Sequence, residues 1–278
     1  MVTMGIAAPQ SGWGVEYTRG GRCPVHHLIQ VPEGYPKCPD HAVWLGVFHG
    51  TWYDIGRQFG EAEAMREYIT PLFDHWFAST MRNYKTKEEL LKILHAMEED
   101  VRLYDSRFVD AMKGIAEGAA PALAKSKYAG EITHYEKVLL LQFYSKVIAH
   151  QLDFEHHDCT QMAFLSPATA IRKVIVGRNT QLGYEMGNYG VAYAAVPPAP
   201  AHRYVTNTYA GVFFGLSAAS DAPIHVGRSA AAGKDKRVGL DSTFMMAEAA
   251  IFGNSVEDAA ELIVHGPKEY RKIGRAHV

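Results

Sequence analysis

Cysteine is scarce in this chain, with only Cys23, Cys38 and Cys159 among 278 residues. Three thiols cannot all pair with one another, which excludes a disulfide framework and fits a reducing compartment. Basic residues are not in excess: 28 Lys and Arg stand against 30 Asp and Glu, a formal charge of −2. Such a balance neither releases counterions from nucleic acid nor holds an anionic bilayer, so nucleic acid and membrane are excluded as partners. No stretch reaches the roughly 18 apolar residues of a spanning helix. Met1 to Val15 also lack the basic start and apolar run of a secretory signal, so the cytoplasm is the expected location. Internal repeats and low-complexity tracts are missing, which sets aside solenoids and disordered linkers. Gly183 and Gly187-Asn-Tyr-Gly190 lack the strand, turn, helix and lysine of a phosphate loop, and no cofactor is expected.

What is present is ordinary globular material, 47% hydrophobic and 21% charged, enough for one large domain or two small ones. Residues 1–45 carry Gly, Pro and His with little periodicity and read as an irregular leader. From Asp54 to about Phe77, apolar residues at three- and four-residue steps (Ile55, Phe59, Met65, Ile69, Phe73, Trp76) predict one helix or two, with Pro71 to be tolerated or bent around. Thr86 with Glu89 resembles a capping box opening a second helix through Tyr104. Phe108 to Gly118 predicts a third, and Tyr135 to about Leu152 a fourth. The segment 46–158 is thus expected to be helical.

After His156 the period shortens. Strands are expected at Gln161–Leu165, Ala170–Val176, Val191–Val196 and Tyr204–Phe214, as neighbours in one sheet. Helices follow from Ser242 to Phe252 and from Asn254-Ser255 to Gly266-Pro267. The fold class is α+β, a helical half feeding a strand-rich half, 159–272, with Asp158-Cys159 at the junction. The last six residues, Ile273-Gly-Arg-Ala-His-Val278, read as a sequencing adapter translated in frame, so 273–278 is expected to be a non-native tail and the natural chain to continue past it. A truncated sheet would leave apolar surface and unpaired edges that favour self-association.

Cys159 sits in His156-His-Asp-Cys-Thr160, at the start of the first expected strand and ringed by ionisable groups, the setting in which thiols serve as nucleophiles. The plainer alternative is a buried structural thiol. The leader offers a rival chemistry: Cys23-Pro-Val-His26 and Cys38-Pro-Asp-His41 repeat a C-P-x-H unit suited to tetrahedral zinc, with His27 spare. His156-His157-Asp158-Cys159 is a weaker metal set, since neighbours on a strand point to opposite faces. Phe73, Trp76, Phe77 and Tyr144 at helical spacing are expected in the core.

Three segments carry a resemblance. Phe48-His-Gly50-Thr51-Trp-Tyr53-Asp-Ile55-Gly56-Arg-Gln-Phe-Gly60 is similar to a "G-T-x-[YF]-x-I-G-x-x-x-G" entry segment, and Met112-Lys-Gly-Ile-Ala-Glu-Gly118 to an "I-x-G-I-A-x-G" stretch. Asp158-Cys159-Thr160, with Val176-Gly177-Arg178-Asn179 about twenty residues later, resembles "C-T … G-[RQ]-N-x-D". The family with these patterns is the acyl-coenzyme A:isopenicillin N acyltransferases, N-terminal-nucleophile hydrolases distantly like the choloylglycine hydrolases. The resemblance implies a four-layer αββα sandwich after a helical pro-segment and self-cleavage between Asp158 and Cys159. It further implies that Cys159 then attacks the carbonyl of a linear, non-peptide amide or acyl donor of small size. It implies an active-site role for Arg178 with Asn179 as companion. Gln181 stands where the family has the aspartate that orients the new α-amine. The family's oxyanion asparagine falls near or beyond the suspected truncation and is not assigned. No metal or cofactor is implied, and the cleaved fragments are expected to associate. Two other readings stay open: an inactive scaffold, which Gln181 would permit, and a zinc-stabilised binding module built on the leader.

Overall fold

The computed structural model describes residues 43–149, 159–169, 174–180, 189–215, 217–222, 224–227 and 240–266. The candidate zinc residues Cys23, His26, His27, Cys38 and His41, the junction residues His156 to Asp158, Gln181 and the tail 273–278 lie outside them.

The helical half starts with a strand. β1 (Val43–His49) precedes α1 (Trp52–Glu61), α2 (Glu63–Met81), α3 (Lys87–Gly118), the single turn α4 (Ala120–Leu123) and α5 (His134–Ala149). Strands β2 (Cys159–Phe164), β3 (Ile175–Thr180), β4 (Gly190–Val196), β5 (Tyr204–Tyr209), β6 (Ser217–Ser220) and β7 (His225–Gly227) follow, then α6 (Ser242–Phe252) and α7 (Val256–His265). The architecture is α+β, as expected.

The entry segment acquires a physical meaning at α1. Gly50 takes a positive φ of 108°, open to glycine and strained for other residues. It delivers the chain into a capping box: Asp54 N–H donates to Thr51 Oγ1 at 3.2 Å, and Thr51 N–H donates to the Asp54 carboxylate at 3.1 Å. The Thr51 hydroxyl also donates to the Asp54 carboxylate at 2.6 Å, and this bond, followed by the one from Thr51 N–H, holds the Asp54 carboxyl below the usual carboxylate range. The break between α1 and α2 falls at Ala62, not at Pro71, which α2 accommodates. In α3 the ladder kinks at Asp105, whose extended backbone separates the two expected helices. The Asp105 carboxylate accepts from Arg107 N–H at 2.9 Å and so caps the second of them.

The glycines of α1 and α3 face each other. A Cβ on Gly56 would lie 2.0 Å from the Ala111 carbonyl oxygen, one on Gly114 2.1 Å from that of Tyr53, and one on Gly118 2.2 Å from that of Arg57. The helices cross backbone to backbone, closer than side chains would allow. Tyr53 OH donates to the Glu117 carboxylate beside the crossing. Both glycine-spaced segments are therefore two sides of one joint.

The main sheet has the order β1-β4-β5-β6-β7, parallel between β1 and β4 and antiparallel elsewhere. The expected helical segment 46–158 opens with strand rather than helix, because β1 is an outer strand of this sheet. Its alternation around a Gly46 irregularity was hidden by mixed composition. The single-sheet expectation is corrected too: β2 and β3 form their own antiparallel ribbon. The strand expected at 204–214 ends at Tyr209, where the chain turns with Gly211 at φ 81°. β3 begins at Ile175; residues 170–173 of the expected strand lie outside the described set.

One core joins the halves. Along β4 and β5, Val191, Tyr193, Ala195 and Tyr204 enter it, whereas Ala192, Ala194 and Val205 do not, so alternation turns one face toward the helices. Phe59 of α1 meets Tyr193 with ring centroids 5.0 Å apart, and Trp76 stacks on Tyr144 at 3.9 Å. From α5, Gln142 accepts from Phe213 N–H at 2.9 Å and ties the 210–215 turn to the helices. Among the described residues, no helix is long and apolar enough to cross a membrane.

Candidate functional site

The ribbon places Cys159 beside Arg178. In register, Cys159 pairs with Thr180, Thr160 with Asn179, and Gln161 with Arg178. Opposed residues share a face and successive residues alternate, so Cys159, Gln161 and Arg178 lie on one side of the ribbon. Arg178 Nη2 donates to Cys159 Sγ at 3.4 Å, within reach for a sulfur acceptor. A guanidinium there puts fixed positive charge within hydrogen-bond reach of the sulfur. Asn179 occupies the register position opposite Thr160.

The main sheet supplies the opposing wall, using the face turned away from the helices. On β5 this face carries Val205, Asn207 and Tyr209, alternating with the core-facing Tyr204, and on β7 it carries His225 and Gly227. Both titratable residues feel the ribbon. Burial pushes the Tyr209 phenol up to about 12, Arg178 opposing that rise and Cys159 adding to it. Tyr209 therefore remains a neutral O–H donor at neutral pH. Ser217 Oγ donates to Asn207 Oδ1 at 2.5 Å and orients that carboxamide on the same wall.

His225 is exposed on this wall. Desolvation by its neighbours, followed by repulsion from Arg178, lowers its pKa from 6.5. The sign follows from linkage. The unfolded histidine binds its proton near 6.5 and the native one only at lower pH, so this stability is complete above about 6.5 and is lost as pH falls through the folded value. His225→Gln is expected to lose less thermal stability than the parent between pH 7.5 and 5.5, read as paired melting curves. Equal losses in both proteins would remove His225 from the account.

Of the residues expected from sequence, the structure brings Cys159 and Arg178 together. Tyr209, His225, Gln161 and Gly227 were not anticipated. The period-two run Val205, Asn207, Tyr209 was the available signal for Tyr209, but β7 is three residues long and offers none. On the other face of the ribbon Met162 is 41% and Phe164 47% exposed. Among the described residues, no group of three or more His, Cys, Asp or Glu is placed to hold a metal ion.

No protein-family model matches this sequence, and no curated protein sequence matches it.

Proposed function

We propose that this protein is a cysteine N-terminal-nucleophile hydrolase or acyltransferase acting on a linear amide, with an αββα-type arrangement whose two β layers are the main sheet and the ribbon. The observation that carries the reading is the Arg178 guanidinium 3.4 Å from the sulfur of a cysteine that opens a strand. Activation begins with Cys159 Sγ attacking the Asp158 carbonyl carbon. The peptide C–N bond breaks, its nitrogen takes the thiol proton, and water hydrolyses the resulting thioester. This frees the Asp158 carboxylate, the Cys159 thiol and a new α-amine. With a reference pKa of about 7.7–8.0, that amine is partly neutral near pH 7 and serves as base for its own thiol. In turnover the sulfur attacks the substrate carbonyl, and its proton passes through the amine to the departing nitrogen. The acyl-cysteine goes to water or to an amine acceptor. Arg178 and the neutral Tyr209 phenol are suited to stabilise the negative charge of these steps. Parallel pairing of β1 with β4 and the shared core are what would keep the fragments together after cutting.

Intact mass of the purified protein beside Cys159→Ala tests this. The parent is expected to divide between Asp158 and Cys159 under denaturing conditions, while eluting as one species natively, and the alanine variant to stay whole. Two uncut chains would remove the self-processing reading and favour a scaffold.

A further inference from the structure

Gly227 lacks a side chain where the ribbon meets β7. A Cβ built there would lie 2.2 Å from Gln161 Oε1 and 2.7 Å from its Cδ, so the Gln161 carboxamide rests against Gly227 itself. Gln161 is two residues beyond Cys159 on β2 and directly opposite Arg178 on β3. It is therefore a same-face neighbour of both Cys159 and Arg178 on the ribbon. A two-stranded ribbon is marginal by itself, and β2 is exposed on both faces from Gln161 to Phe164, so the contact at Gly227 is a tie between ribbon and main sheet.

Resting on the reading of Cys159 as a nucleophile, we propose that Gln161 is a positioning residue. Its carboxamide, seated on Gly227, fixes the side chain directly opposite Arg178 and so limits where the guanidinium can lie, holding it against the Cys159 sulfur. Gly227 is the other half of the device, because a side chain at that position would occupy the seat. Misplacement of a reacting group by about 1 Å can cost on the order of a hundredfold in rate, so a seat of this kind has kinetic weight.

The geometry supplies a reciprocal test. Gly227→Ala adds a methyl under the carboxamide, and what it displaces is the far end of a flexible side chain, so the fold tolerates it. Gln161→Asn withdraws the carboxamide by one methylene, about 1.5 Å, and introduces no clash. Each change alone breaks the seat, while the two together rebuild it one methyl higher. The readout is the rate at which iodoacetamide alkylates Cys159 at pH 7 in the full chain, followed by peptide mass mapping so that Cys23 and Cys38 do not contribute. Each single variant is expected to alkylate at least about fivefold more slowly than the parent, and the double variant to return to within about twofold of it. Singles at the parental rate, or a double no faster than the faster single, would overturn the proposal. Alkylation does not need self-cleavage, so the readings fail separately. An uncut parent with reciprocal rescue keeps the seat and sinks the hydrolase, and a cut parent without rescue does the reverse.

Discussion

Gly114→Ala is expected to destabilise the protein by about 3 kcal/mol or more, the upper end for overpacking, although alanine is the better helix former. In an exposed helix the same change would stabilise by up to about 1 kcal/mol, so the sign is diagnostic. The new Cβ would lie 2.1 Å from the Tyr53 carbonyl oxygen and 2.8 Å from Arg57 N, both backbone atoms of α1 that no rotamer change can move. The helices must separate, and α1 carries Ile55 and Phe59 in the core, the latter against Tyr193 of the sheet. Separation thus loosens the strands beneath the site. Gly56→Ala, 2.0 Å from the Ala111 oxygen, should behave alike. Gly130→Ala is the control: nothing lies within 4 Å of its Cβ, and a change within about 0.5 kcal/mol is expected. Urea unfolding gives the free energies of the three, and thermal unfolding should show a fall in melting midpoint on the order of 6–12 °C for either crossing variant. A neutral Gly114→Ala would mean that the helices are not in backbone contact.

The second large effect is at Arg178. Arg178→Met keeps the aliphatic stem but removes the donor 3.4 Å from Cys159 Sγ. Under the proposed self-cleavage, appearance of the two fragments in freshly purified precursor should slow by about a hundredfold or more, the order of loss seen when one charge-stabilising donor is deleted in acyl transfer. Cys159→Ala sets the floor of that measurement. Arg178→Lys retains a charge and loses the planar fork, so partial recovery would assign the effect to charge and none to geometry of the guanidinium. An Arg178→Met precursor that cuts at the parental rate would leave the 3.4 Å contact a structural one.

Helix positions were legible because burial stamps a period on the chain. Leu90, Leu94, Met97, Val101 and Tyr104 fall on one stripe and are all buried. Ser255 accepts from Asp258 N–H at 3.1 Å and opens α7 where the cap signal stood. The site was half legible. Cys159 and Arg178 stood out as residue types in a spaced pattern, but Gln161 and His225 are unremarkable letters that acquire meaning only when β7 is laid beside β2.

Local physics acts through nearby residues, and so the sequence by itself determined the α+β class, the helix starts at Thr86 and Ser255, and the prominence of Cys159. What only the tertiary structure decided depends on residues far apart in the chain. β1 joins β4 across more than a hundred residues, Gly56 finds Ala111 and Gly114 finds Tyr53, and Gln161 comes to rest on Gly227. Each of these is a matter of register or close approach, which depends on both partners at once, and neither partner's own segment carries a signal for the other.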